Sequence, residues 1–244
     1  MTEFLAPNNV LQTILETGVR APSGGNLQNY SLIVIDDMNT KNKLEMMDGF
    51  NKVSEAPIIV VAVIDYHRLQ KWFHINNSEE YSVDQSSNFF IAYWDALIAL
   101  HNIAITTESL SLGGYYIGNV HWYEGISDLL NLPQLTFPAG MYCLGYPDGT
   151  TKLSERLPLR AVVHRNRYHR YTDSEINTIY FREDNIWNKS PQSRKENLSK
   201  EKIYSAADFY ARRKFPTDFV IKRSININKN IKYQGFKIDN NKIL

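Results

Sequence analysis

The stretch Arg20-Ala21-Pro22-Ser23-Gly24-Gly25-Asn26-Leu27-Gln28 gathers the groups best suited to hold a ligand: a hydroxyl at Ser23, amides at Asn26 and Gln28, and the glycine pair Gly24-Gly25. Glycines let a backbone approach a ligand closely, and successive turn N–H groups form concavities for anions or carbonyl oxygens. Ser, Asn and Gln offer donors and acceptors together, which suits a planar heterocycle with alternating carbonyls and ring nitrogens. An ordinary Asn/Gly/Ser turn has the same composition, so the residues alone leave turn and site about equally open.

Other chemistries find little support. There is no Gly-x-Ser-x-Gly elbow, no phosphate-binding P-loop and no Gly-x-Gly-x-x-Gly. Gly113-Gly114-Tyr115-Tyr116-Ile117-Gly118 follows a helical pattern instead of opening one, so it is no dinucleotide fingerprint. A single cysteine, Cys143, rules out an internal disulfide and a thiolate zinc cluster. His164 and His169 lie amid Arg160, Arg165, Arg167 and Arg170, whose charges repel a cation. That run reads as a basic surface or anion-facing strand; a nucleic-acid patch is the weaker alternative, with nothing else in the chain to extend it. No metal site is expected.

The charge balance agrees. With 27 Lys+Arg against 26 Asp+Glu, the chain is not built around phosphate neutralisation, so neither nucleic acid nor a membrane surface is an expected partner. The longest uninterrupted apolar run, Ile58 to Ile64, falls far short of the roughly 20 residues of a spanning helix. Met1-Thr2-Glu3 opens without a basic or apolar leader, and with one cysteine the expected location is cytoplasmic. At 244 residues, one domain burying roughly 70% of its unfolded surface is expected.

The elements that must position the loop follow from hydrophobic spacing. Val10, Leu11, Ile14, Leu15 and Val19 mark one face of a helix, capped by Asn8 or Asn9 and stopped at Ala21-Pro22. Tyr30–Asp36 and Pro57–Asp65 read as strands, the second apolar enough to be covered on both faces. Lys41–Phe50 is a modest helix, and 66–88 an irregular excursion. Phe89–Leu110 is the longest helical pattern, apolar around most of its circumference and ended by Gly113-Gly114. Tyr115–Val120 is a short strand or turn, Tyr123–Leu130 a short helix, Ala139–Tyr146 a third strong strand, and Ala161–Val163 extends a fourth. The mixture lacks a βαβ rhythm, which predicts an α+β fold. Residues 1–170 form the core of a single domain over 1–244, and 171–244 a C-terminal arm, with 187–203 too polar to carry a core.

Three stretches together resemble the FMN-dependent nitroreductase family. Pro22-Ser23-Gly24-Gly25-Asn26-Leu27-Gln28 before a strand is similar to that family's flavin loop, and Ser109–Asn119 to its segment after the central helix. Leu144-Gly145-Tyr146-Pro147, then Arg156-Leu157-Pro158-Leu159 and Val162–Tyr168, resembles the branch of the major oxygen-insensitive nitroreductases and NADPH-flavin oxidoreductases. The likeness spans roughly residues 3–180 and is weaker through the arm.

The resemblance implies a central mixed or antiparallel sheet flanked by helices, with a long buried central helix, in a homodimer with two interfacial FMN sites. Residue by residue, it gives Ser23, Gly24, Gly25, Asn26 and Gln28 to one side of the flavin, and Asn51 to its polar edge. Tyr116, Ile117, Gly118 and Asn119 fall on the ring's other face or edge, and Arg156 on the FMN phosphate or pyrimidine edge. Arg212 and Arg213 match an arginine pair that grips the 2′-phosphate of NADPH, where the bland alternative is a solvated charged run.

Two departures stand out. Met1-Thr2-Glu3-Phe4 begins just beyond the place of the family's Arg-Ser-x-Arg motif, which holds the FMN phosphate, and Ser154 stands where relatives often carry Lys, with Lys152 nearby. Two missing arginines forgo several charge-assisted hydrogen bonds worth about 1.5–3 kcal/mol each. The activity implied is ping-pong transfer of hydride from NADPH or NADH through FMN to a small nitro, quinone or flavin-like acceptor. No catalytic side chain is expected beyond the flavin, because the cofactor carries the chemistry. The alternative is a flavin-poor dimer of the same fold, with a binding or regulatory role or as an inactive remnant.

Overall fold

A computed structural model describes residues 8–49, 51–78, 82–149, 153, 156–188 and 203–238. The order of elements begins α1 (Asn8–Val19), β1 (Tyr30–Ile35), α2 (Met38–Asp48), β2 (Ile58–Asp65), α3 (His67–Ile75) and α4 (Ser86–Ser109). It continues with β3 (Gly113–Ile117), α5 (Ile126–Leu129), β4 (Thr136–Gly145), α6 (Asp173–Asn188), the short α7 (Ala206–Asp208) and α8 (Thr217–Tyr233). The strands form one sheet in the order β1-β2-β4-β3, and every pairing is antiparallel.

Every residue of the two central strands, β2 and β4, is buried, which is why both read as nearly unbroken apolar runs. Alternation sorts their side chains between two layers. Val60, Ala62, Ala139 and Tyr142 meet Ile14 of α1 and Ala96, Ala99, Leu100 and Ile103 of α4. Ile59, Val61, Met141 and Cys143 meet Leu44 of α2 and Ile126 of α5 on the other face. Burial pushes the Cys143 thiol up to about 12, so it is inert at neutral pH. The pairing jumps from Ala62–Gly140 to Val63–Pro138, leaving Ala139 as the extra residue of a bulge. A proline is tolerated in a central strand at such a place, and the Tyr93 hydroxyl of α4 donates to the Ala139 carbonyl at 3.0 Å.

A third cluster closes the end of the sheet: Ile64, Tyr66, Leu69 of α3, Phe89, Phe137 and, from the C-terminal segment, Ile231 and Phe236. That segment is stitched in by Leu135 N–H to the Gln234 carbonyl (2.8 Å) and Lys237 N–H to the Asp84 carbonyl (2.8 Å). The chain thus divides into two compact units, Met1–Thr150 with Arg223–Leu244, and Thr151–Lys222. In the second unit, Thr172 and Glu175 form a reciprocal capping box at the start of α6: Thr172 N–H donates to Glu175 Oε2 (2.8 Å) and Glu175 N–H to Thr172 Oγ1 (3.4 Å).

Several expectations need correction. Residues 66–88 are not all irregular: α3 occupies 67–75, with Leu69 buried and Phe73 against the same cluster. Leu69, Trp72 and Phe73 stand at the three- and four-residue spacing of a helix face, a signal outweighed by the overall polarity of the segment. Ala161–Val163 extends no strand, because Leu159–Ala161 forms a 3-10 turn after Pro158. Gly113-Gly114 does not end the long helix, which stops at Ser109; the glycines open β3. After β3 the chain tightens into a 3-10 turn, Gly118–Trp122, and the expected helix from Tyr123 shrinks to Ile126–Leu129. α2 begins three residues early, because the Asp37 carboxylate caps it by accepting from Thr40 N–H at 2.8 Å. The expectations at Met1–Phe4, Phe50, Lys152, Ser154 and 189–202 lie outside the described residues.

Among the described residues, α4 is the one helix long and apolar enough to cross a membrane. It is a core helix instead: Phe89, Ala92, Ala96, Ala99, Leu100 and Ile103 are buried. Its other side exposes Phe90, Ile91, Trp94, Ile98 and Ile105, so the helix is covered on one face only.

Candidate functional site

The Ser23–Gln28 loop is a pre-formed turn. Gly25 (φ 58°), Asn26 (φ 55°) and Gln28 (φ 46°) all take positive φ, which costs a glycine little and is tolerated by an amide. Ser23 Oγ accepts from Gln28 N–H (3.1 Å) and from Gln28 Nε2 (3.3 Å), and Gln28 Nε2 also reaches Asn26 Oδ1 (2.8 Å). Arg68 of α3 fastens the exit, its guanidinium donating to the carbonyls of Gln28 and of Tyr30 (3.1 Å).

Beneath the loop lies a carboxylate. Gly24 N–H donates to Asp95 Oδ1 at 2.9 Å, while Asp95 Oδ2 is buried with no hydrogen-bond partner. Burial raises the Asp95 pKa, and the Gly24 N–H only partly opposes it. The folded protein therefore holds this proton more tightly than the unfolded chain does. Above the ordinary carboxylate range the ionised, half-satisfied carboxylate costs stability, and that cost grows as pH rises through the window up to the raised pKa. Asp95→Asn keeps an acceptor for Gly24 and cannot ionise. It is expected to unfold at a higher temperature than the parent at neutral pH, with the gap closing near pH 4. Parallel melting curves for the two proteins across that range would refute the assignment.

A second cluster is built on Asp48, the last residue of α2 and 3% exposed. Asp48 Oδ2 accepts from the Asn51 backbone N–H (2.6 Å) and from Asn51 Nδ2 (2.7 Å). Its Oδ1 accepts from Asn119 Nδ2 (3.4 Å) and from the Tyr123 hydroxyl. Two amides predicted separately from the sequence are thus held by one carboxylate. Next to Asn119, Gly118 faces open space where a side chain would stand. Tyr116 is half exposed, its hydroxyl 2.9 Å from His101 Nδ1 and its ring 4.9 Å from that of Tyr142. Ile117 points its side chain into the core, leaving only its backbone for a ligand.

Among the described residues no hydrogen bond or ring contact joins the Ser23–Gln28 loop to the Asp48 cluster within one chain. In the second unit, Arg156 is exposed. Arg212, Arg213 and Lys214 end the π-helical turn Phe209–Lys214, with Arg212 Nε 3.4 Å from Asp208 Oδ1 and Lys214 Nζ 5.2 Å from the Tyr210 ring centre. The His164–Arg170 run is a loop of clustered rings, not a strand: the His164 ring centre lies 4.4 Å from that of Tyr168, tilted by 34°, and His169 Nε2 lies 3.1 Å from Glu175 Oε1. Among the described residues no group of His, Cys, Asp and Glu could hold a metal ion.

Residues 5–146 match the nitroreductase family. The chain belongs to that family. As a member of the nitroreductase family it is an NAD(P)H-dependent flavin oxidoreductase, with FMN as the flavin. An NADPH-dependent oxidoreductase of Staphylococcus saprophyticus is 32% identical over 178 residues, 69% of each chain. The crystal structure of the NADPH:FMN oxidoreductase of Vibrio harveyi, complexed with NAD+, superposes with a TM-score of 0.67 at 26% identity, covering 93% of this chain and 91% of that one. A nitroreductase of Bacillus subtilis shares the fold, with a TM-score of 0.79 at 23% identity over 96% of this chain and 93% of the other.

The residues present fit a flavin. The amide oxygens of Asn51 and Asn119 are uncommitted among the described residues and Asn119 stands next to the open side of Gly118, which suits the polar edge of a flavin, while the half-exposed Tyr116 ring packs with Tyr142 and His101. Sequence reasoning named the amides but missed the acids beneath them. Asp95 carried a readable signal, as the only Asp, Glu, Lys or Arg between Ser86 and Thr107 in an otherwise apolar helix. Asp48, just ahead of the helix-ending Gly49, carried none.

Proposed function

We propose that this nitroreductase-family protein is a homodimeric NADPH oxidoreductase that passes hydride to a small planar acceptor of the quinone, nitroaromatic or free-flavin class. The observation that carries the reading is the Asp48-held pair Asn51 and Asn119 beside the open Gly118, a surface that accepts a flat, polar-edged ring. FMN, when bound, supplies the hydride shuttle between nicotinamide and acceptor. The chain's own groups bind and orient. Ser23, Gly24, Gly25, Asn26 and Gln28 offer a rigid turn, its Gly24, Asn26 and Gln28 N–H groups already bonded within the protein, to one side of the flavin, while Asn51, Tyr116, Ile117, Gly118 and Asn119 meet the ring's edge and second face. Arg156 faces the phosphate or pyrimidine edge by resemblance, and Arg212 with Arg213 the 2′-phosphate of NADPH. The single-domain reading of 1–244 belongs to the same proposal, as does the cytoplasm as its location.

The dimer rests on two observations. Among the described residues no hydrogen bond or ring contact joins the loop to the Asp48 cluster within one chain, and in a dimer each would supply half a site. The exposed apolar side of α4 also adjoins the loop, since a Cβ at Gly24 would come within 2.6 Å of Ile91 Cγ2. A contiguous apolar face of that kind marks an association surface. The visible spectrum before and after FMN addition and desalting, with sedimentation velocity on the same sample, tests both parts. A retained flavin band that bleaches with NADPH under anaerobic conditions, in a species of twice the chain mass, is expected. Initial-rate lines for NADPH against acceptor should run parallel. A protein that stays colourless after reconstitution, or a monomer, overturns the reading.

A further inference from the structure

A carboxylate as buried as Asp48 is tolerable only where donors meet its charge. Among the donors that meet it are the Asn51 backbone N–H, Asn51 Nδ2, Asn119 Nδ2 and the Tyr123 hydroxyl. An ionised carboxylate accepts and never donates, so both amides must turn their nitrogens towards it and their carbonyl oxygens away. Neither Oδ1 has a hydrogen-bond partner among the described residues.

We propose that Asp48 is a positioning residue that sets the Asn51 and Asn119 amides oxygen-outward, so that the site selects a ligand edge bearing an N–H donor, such as the imide of the flavin's pyrimidine ring. The inference rests on reading those two amides as flavin contacts. Replacing the carboxylate by Asp48→Asn opposes a new NH2 to donors already present and frees each amide to flip.

The probes are FMN and its N3-methyl analogue, which lacks the imide N–H, with dissociation constants read from flavin fluorescence in full-length protein. The parent is expected to bind FMN about tenfold or more tightly than the analogue, the loss of one charge-free but buried hydrogen bond. In Asp48→Asn the ratio is expected to collapse towards unity, and the midpoint potential of bound FMN to move. Phe236→Leu, a core change outside this cluster, should lower the melting temperature and leave the ratio intact. A preserved ratio in Asp48→Asn overturns the assignment. So does a parent protein that binds both flavins equally, a result that stands even if the variant fails to fold. If Asn51→Ala and Asn119→Ala both leave FMN affinity unchanged, the amides are not flavin contacts, and the site reading fails together with this inference.

Discussion

Gly114→Ala is expected to destabilise the protein by about 3 kcal/mol or more, lowering the melting temperature by about 6–12 °C. A Cβ at Gly114 would sit 2.4 Å from Tyr142 Cζ and 2.5 Å from the Cys143 carbonyl oxygen. Neither neighbour can yield. Tyr142 is 1% exposed within the α1–α4 layer, and the carbonyl belongs to the adjoining strand, where Gly114 pairs with Leu144. Relief requires β3 to move off β4. Since β3 leads directly into Gly118 and Asn119, the same movement would draw the Asn119 amide off Asp48, at 3.4 Å already the longest bond of that cluster. Calorimetry with FMN titration reads both effects. A melting temperature within about 2 °C of the parent would show that the strand pair has slack the geometry denies it.

That constraint illustrates which parts of the fold could be read in advance. Strands β2 and β4 and helices α1 and α4 announced themselves because each is buried over a continuous face, and burial writes a period into the sequence. Elements that bury little are easier to pass over. In α3, Leu69, Trp72 and Phe73 keep helical spacing, but only Leu69 is fully buried and Trp72 and Ile75 are exposed, so the polar neighbours dominate the segment's composition. The segment Ala161–Val163 is apolar, yet Val162 and Val163 are exposed, and apolarity without burial mimicked a strand. The last sixteen described residues, 223–238, read as an arm but contribute Ile231 and Phe236 to the core. Ile227 and Ile238 pack against the same cluster, and backbone and side-chain hydrogen bonds, such as those of Asn230 Nδ2 to the His121 and Tyr123 carbonyls, fix the segment there; sequence spacing cannot show such bonds.

The site divides in the same way. Glycines, amides and hydroxyls that face a ligand were legible, because residue type alone limits what they can do at a turn. The carboxylates that hold them were not: Asp48 and Asp95 act on residues 3 to 75 positions distant, and only the folded chain brings them together. Both carboxylates are buried and accept hydrogen bonds from the groups they hold, the Gly24 N–H for Asp95 and the Asn51 and Asn119 amides for Asp48. A site for a cofactor that performs its own chemistry needs this kind of support more than it needs acids and bases. The protein's share of the work is to keep amides and N–H groups in one orientation while hydride donor and acceptor exchange places.

Replacing both arginines of the π-helical turn, Arg212→Ala with Arg213→Ala, is expected to raise KM for NADPH about a hundredfold while leaving KM for NADH within about twofold. The cofactors differ by one 2′-phosphate, and a guanidinium fork meets that group with two parallel charge-assisted bonds. Among the described residues Arg212 is engaged by Asp208 through an exposed contact of 3.4 Å, a pairing worth at most about 1 kcal/mol and easily exchanged for phosphate. The paired lysine variant, Arg212→Lys with Arg213→Lys, keeps the charge but loses the fork, and should recover only part of the preference. Salt supplies an independent check. Raising ionic strength should weaken NADPH in the parent and barely affect NADH, because exposed charges are screened over about 8–10 Å. Equal losses for both nucleotides would move the effect from phosphate recognition to the integrity of the second unit. Unchanged constants would return Arg212 and Arg213 to the solvated surface.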